Sequence, residues 1–189
     1  MRESGQGGQD LNGDGDATDD SVLHVVRMGN GSVTNLGHQA TGVSTGGWLV
    51  GYLRFEPGEG VDINGDGQIS GSVLQLYDAG TGTTANLAFD ATFPLAAGQT
   101  GDDFLICAVP ELGVVPPTDL NGDGDKSDTV LHVLSAGQAP LNIGLDTDSG
   151  VQLLGRRVLF PVREFKQGSH DLNGDGDPVD WVMHHLDVP

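Results

Sequence analysis

Apolar residues come in short runs, many alternating with polar ones, and Gly, Asn, Asp or Pro breaks each run. A period of two bounded by turn residues is the strand signature, and no segment carries apolar positions at helical spacing. The pattern predicts strands over 21–28, 32–37, 40–44 and 48–56, then 72–78, 83–88, 92–96 and 103–111. It continues with 129–136, 139–145, 150–154 and 157–165, and ends with 181–188. Four short strands in roughly 50 residues is the count for one β-propeller blade. The expectation is an all-β chain, a single domain over 1–189, with about three to four four-stranded antiparallel blades incomplete at both ends. The strand near residue 40 would be innermost, 48–56 second, 72–78 third and 83–88 outermost.

One acidic phrase punctuates these strands four times. It reads Asp10-Leu-Asn-Gly-Asp-Gly-Asp16, Asp62-Ile-Asn-Gly-Asp-Gly-Gln68, Asp119-Leu-Asn-Gly-Asp-Gly-Asp125 and Asp171-Leu-Asn-Gly-Asp-Gly-Asp177, at intervals of 52, 57 and 52. Each falls between the second and third strand of a predicted blade, in loops over 10–20, 62–71, 119–128 and 171–180. Oxygen side chains at positions 1, 3 and 5 with Gly at position 6 are how a short loop wraps a hard cation. Asn-Gly and Asp-Gly are also strong turn signals, so one copy could be a bare hairpin; four copies point to metal.

The candidate ligands follow from position. Loop 3 offers Asp119, Asn121 and Asp123, the main-chain carbonyl of Asp125, and Asp128 to close the shell. Loop 4 offers Asp171, Asn173, Asp175, Asp177 and Asp180 in the same way. Loop 1 offers Asp10, Asn12, Asp14 and Asp16, closed by either Asp19 or Asp20. Loop 2 keeps Asp62, Asn64 and Asp66, but Gln68 and Gly71 replace the later acids, so it should bind more weakly or lean on water and Glu56. A Glu ends the strand before each loop: Glu3, Glu56, Glu111 and Glu164 are candidate ligands or groups that support ligands. The donor set is all oxygen, numerous and flexible, which favours calcium over magnesium; no His or Cys lies in the phrase, which disfavours zinc. Dockerin and EF-hand modules need a helix after the loop, whereas Val22-Leu-His-Val25 and its counterparts read as strand.

Charge sharpens this reading. The net charge is −19, from 27 acidic and 8 basic residues, with much of the acid inside the four phrases. Four calcium ions would leave about −11; without them the clustered carboxylates should repel. No basic patch suits nucleic acid or an anionic membrane, and no stretch is long enough for a membrane helix. The 31 Gly and 37% hydrophobic content fit a turn-rich β protein rather than a disordered acidic chain. Cys107, the only cysteine, lies in Phe104-Leu-Ile-Cys-Ala-Val109 and reads as a small core residue. No signal peptide is visible, and the expected location is extracellular, cell-surface or periplasmic, where calcium is abundant.

Outside the loops, His24, His132 and His184 share one repeat position with Gln75 and read as polar packing groups. Trp48 and Trp181 read as core or inter-blade packing. Asp102, Asp103, Asp146 and Asp148 read as solvated turn residues, and Arg156, Arg157 and Arg163 as offsets to local acid.

The phrase Asp-x-Asn-x-Asp-Gly at blade spacing resembles the calcium loops of FG-GAP repeats in integrin α-type propellers. It is more similar still to bacterial surface or secreted propellers rich in Asp-Leu-Asn-Gly-Asp-Gly-Asp. The resemblance implies blade architecture and calcium, three to four ions per chain. No nucleophile motif or phosphate loop is visible. The leading expectation is a non-catalytic calcium-binding module for adhesion, recognition or structure, with a protein or carbohydrate ligand. Two alternatives are a piece of a propeller hydrolase or lyase with its catalytic blades elsewhere, and a segment that closes its ring by homo-oligomerisation.

Overall fold

The computed structural model describes residues 1–19, 21–90, 92–97, 103–147 and 150–188, with 92–97 described for their backbone only. Among the described residues twelve strands form three antiparallel sheets, none of them closed. The first sheet runs β1 (Val22–Arg27), β2 (Ser32–Gly46), β3 (Leu49–Phe55), β4 (Ser72–Asp78) and β5 (Thr83–Asp90). The second is β6 (Thr92–Ala97), β7 (Phe104–Pro110), β8 (Thr129–Ser135) and β9 (Leu141–Asp146). The third is β10 (Gln152–Leu154), β11 (Arg157–Arg163) and β12 (Trp181–Asp187). Every neighbour in a sheet is also the next strand in sequence, the meander order of antiparallel strands joined by hairpin connections, three of them lengthened by the acidic loops.

Two strands expected over 32–37 and 40–44 are one. β2 runs without a break, its first half paired with β1 up to Gln39 and its second half with β3 from Ala40. Gly37 absorbs the bend at φ +68°, a conformation open to residues without Cβ. The Glu residues expected at strand ends instead open or precede short helical turns: Glu56–Glu59, Glu111–Gly113 and Glu164–Gln167, with Glu3 just before Ser4–Gln6.

Alternation builds the core. Leu105, Cys107, Val109 and Leu134 pack against Leu49, Leu53, Leu74, Leu76 and Phe89 of the first sheet. Their sequence neighbours Phe104, Ile106, Leu131 and Val133 face the other way, onto Val158, Phe160 and Val162 of the third. The second sheet is therefore covered on both faces, which is why β7 and β8 read as continuous apolar runs rather than alternating ones. β12 belongs to a sheet with one open face and alternates between exposed and half-buried positions. At roughly 25 cal/mol per Å2 of apolar area, each fully buried Leu or Phe contributes about 1.5–3 kcal/mol.

Several expectations about single residues change. Trp48 and Trp181 are not core residues: they are 54% and 48% exposed and lie under the guanidinium groups of Arg27 and Arg163, at 5.5 and 4.0 Å from the ring centres. Asp146 is not solvated; it is fully buried at the end of β9 and accepts the Thr129 N–H. Asp103 is exposed as expected and accepts the Trp48 N–H, while Asp102 and Asp148 lie outside the described residues. Of the arginines, Arg157 offsets acid through a two-pronged pair with Asp187, whereas Arg156 lies over Phe104. Cys107 is buried, as read.

Candidate metal centre

The acidic loops join β3 to β4, β7 to β8 and β11 to β12, and one precedes β1, so each springs from the same kind of hairpin. The hydrogen bonds inside them are nearly superposable. The first Asp (10, 62, 119, 171) accepts the N–H of the residue three on at 2.5–2.7 Å with one oxygen. Its other oxygen accepts the N–H five on at 2.9–3.1 Å. Asn12, Asn64, Asn121 and Asn173 each accept the N–H of the Asp two residues on. Asp14, Asp66, Asp123 and Asp175 do the same for the residue at position 7. The sixth residue stands at φ between +88° and +102° in all four loops, which a side chain would resist, so Gly is required there. Each such bond engages one lone pair of an oxygen and leaves another for a cation.

The pre-loop Glu is the pivot. Glu3, Glu56, Glu111 and Glu164 are all at most 1% exposed. One carboxylate oxygen of each accepts the N–H of loop position 2 at 2.6–2.8 Å, from Leu11, Ile63, Leu120 and Leu172. The other accepts the N–H of Asp19, Asp128 and Asp180, at 3.0–3.1 Å, and of Ser70 in loop 2 at 3.3 Å. The Glu main-chain N–H then bonds the carbonyl of loop position 10 in every copy. A buried carboxylate taking several main-chain N–H bonds fixes the loop's shape before any ion arrives.

Two loops draw three carboxylates together. Ligand atoms of Glu111, Asp125 and Asp128 lie within 4.8 Å of one another, as do those of Glu164, Asp177 and Asp180. These are the two such clusters among the described residues. Asp125 and Asp177 add side-chain oxygens to the clusters, a contribution beyond the main-chain carbonyls expected of them. The first Asp, the Asn and the Asp at position 5 shape the loop, and Asn121 and Asn173 reach the clusters by donating to Asp128 and Asp180. In loop 1 Asp19 matches Asp128 and Asp180: it takes the Glu3 contact, and Asn12 donates to it at 2.6 Å as Asn121 and Asn173 do to theirs. Asp20 lies outside the described residues. Gln68 of loop 2 is exposed, with its N–H held by Asp66.

The donor chemistry fits a cation, because all the converging atoms are carboxylate oxygens, with Glu111 and Asp128 buried in one cluster and Glu164 in the other. Burial, then the charges of Asp14, Glu3 and Asp16, push the Asp19 carboxyl above its ordinary range. Burial raises Asp128 likewise, against the pull of Lys166 and Asn121. A hydrogen bond that the Asp180 carboxyl donates to the Asp175 carboxylate raises Asp180. Ser127, through its hydroxyl and N–H, holds Asp125 low. Like charges crowded in this way favour a bound cation.

The third sheet adds a cation of its own to loop 3. Lys166 Nζ donates to Asp128 Oδ1 at 2.6 Å, and Asn121 donates to the Lys166 carbonyl at 2.9 Å. Loop 1 faces Arg54, His38 and Glu59 across a cavity of about 290 Å3, with Arg54 paired to Glu59.

Sequence reading missed one repeated residue. Asn35, Asn86 and Asn142 on β2, β5 and β9 donate to the carbonyls of Leu11, Ile63 and Leu120 in the loops, at 2.7–2.9 Å. The recurring Asn two residues before Gly37, Ala88 and Gly144 was the available signal. His24 and His132 bond the carbonyl two residues back, and Gln75 donates to Asn86; among the described residues no histidine joins a cluster of candidate metal ligands. No family model, curated protein or solved structure matches this chain.

Proposed function

We propose that this chain is a calcium-binding, non-catalytic array of β-propeller-type blades, in which bound ions stiffen the hairpin between second and third strands. Its surface serves adhesion, recognition or a structural role, outside the cell or in the periplasm. The observation that carries the reading is one loop built four times around one buried Glu, with two copies bringing three carboxylates within 4.8 Å. Antiparallel meanders of five, four and three strands, the four-stranded one packed between the other two, support the blade architecture. The all-oxygen donors favour calcium.

Metal bound only by the folded state adds stability by mass action, about 2.7 kcal/mol for each site filled a hundredfold above its dissociation constant. The test is native mass spectrometry of stripped and calcium-supplemented protein, with melting followed in both states. Three or four ions per chain and a raised melting temperature are expected. No uptake, and no change when EDTA is added to loaded protein, would reduce the loops to hairpin turns.

A second reading, assembly through strand addition, is favoured by β12, which pairs on one side with β11 and exposes Trp181 and Met183. Sedimentation at micromolar concentration tests it; a strictly monomeric species rules it out.

A further inference from the structure

Loop 2 lacks the acid that closes the other three loops, because Gly71 stands where Asp19, Asp128 and Asp180 stand. Gly71 does not have the positive φ that calls for glycine; space does. A Cβ there would lie 2.7 Å from Asp90 Oδ1 and 3.1 Å from Glu56 Oε2. The missing side chain is thus replaced by another, reaching in from the end of β5. Gly113, from the turn that follows β7, closes in on the other side: a Cβ on it would meet the Asp90 carbonyl at 2.7 Å.

Two polar atoms are left over at this spot. Asp90 Oδ1 is buried without a hydrogen-bond partner, and so is Asn64 Nδ2, on a residue only 8% exposed. In the other loops the matching Asn donates to the closing Asp. Asn64, Asp66, Gln68 and Asp90 all line one cavity of about 400 Å3. An isolated buried carboxylate oxygen is costly unless something positive meets it.

We infer that Asp90 is the closing ligand of a divalent-cation site in loop 2, supplied from the outer strand in place of the absent loop acid. With Glu56 and Asp66 it makes a site more open than the two tight triads, completed by water. The bare Asp90 oxygen gains a charge partner, and the carboxylate drawn in gives Asn64 the acceptor its counterparts have. The inference rests on the calcium reading of the loops.

The experiment counts calcium ions per chain by native mass spectrometry in wild type, Asp66→Asn, Asp90→Asn and the two combined. Asp90→Asn keeps an oxygen for main-chain hydrogen bonding, and circular dichroism checks the fold. Each single variant should lose one ion, and the combination should lose no more than one. The double variant Gly71→Asp with Asp90→Ala, which moves the acid back into the loop and clears the space for it, should restore the full count. A full count in Asp90→Asn beside a loss in Asp66→Asn overturns the role of Asp90 and leaves the calcium reading standing. A full count in both shows that loop 2 takes no ion and overturns the proposal. No calcium in wild type overturns both readings. Should Asp90→Asn fail to fold, the exchanged double variant decides: a count one ion short overturns the proposal.

Discussion

Asn142 donates its side-chain amide to the main-chain carbonyl of Leu120 at 2.8 Å and accepts the N–H of Gly144 at 2.7 Å with its oxygen. One side chain therefore shapes the bulge of the outer strand and ties that strand to the acidic loop. Its counterparts Asn35 and Asn86 do the same.

Removing that tie should cost stability without touching a candidate ligand. Asn142→Ala is expected to lower unfolding free energy by about 1–2 kcal/mol, the usual range for one hydrogen bond lost and a bulge left unsupported. Urea unfolding of the calcium-free protein measures it. An effect confined to the calcium-loaded form would mean that Asn142 acts on the ion and not on the loop.

The buried Glu should matter more than any exposed Asp. Glu111→Ala removes the acceptor of the Leu120 and Asp128 N–H groups and leaves them buried. A loss of about 3 kcal/mol or more is expected, even without metal, since each orphaned buried donor costs about 1–3 kcal/mol. Asp171→Asn, at the exposed first position of loop 4, should cost much less under the same conditions. Equal costs would remove Glu111 from its role as pivot.

Burial holds the His132 imidazole below its ordinary pKa, against a supporting bond to the Val130 carbonyl. The unfolded chain then takes up this proton first as pH falls. His132 therefore contributes stability above the ordinary histidine range, near pH 6.5, and that contribution is lost as pH drops from there toward the folded value. His132→Gln should flatten this part of the stability curve, because Gln75 fills the same place in the first sheet. Melting from pH 7.5 to 5 in both proteins tests the difference; parallel curves would show that His132 does not titrate on unfolding.

The Cys107 thiol is buried and pushed up to about 12 by desolvation. At pH 8 a thiol-specific reagent should react with it only at the rate of opening, and at once in denaturant. Fast labelling of the native protein would contradict its position in the core.

Local information made much of this legible. Each acidic loop is built from neighbours within ten positions, so its Asp, Asn and Gly spacing could be read directly. Most strands followed from alternation or short apolar runs, but Gly37 let one strand continue through a bend, and Glu56, Glu111 and Glu164 open helical turns instead of ending strands. What escaped the reading was made by pairing across strands. Asn142 meets Leu120 only because β8 and β9 are in register, and Asp90 meets Gly71 only because β4 and β5 are. The two Trp residues were misjudged for another reason: a large ring can be covered by an arginine as well as by a core.

The two-sided burial of the second sheet has a further consequence. Where one face meets water, sliding a strand by one residue puts polar groups into the interior, and that penalty sets the alignment. In β7 and β8 such a slide would exchange one apolar face for another, so hydrophobicity alone barely distinguishes right from wrong. The bond from the Glu111 N–H to the Asp128 carbonyl, at 3.0 Å, and the grip of the Glu111 carboxylate on the loop do distinguish them. The acidic hairpin thus works as an alignment pin for the strands it joins, so that proofreading of strand pairing falls to the most polar part of the chain.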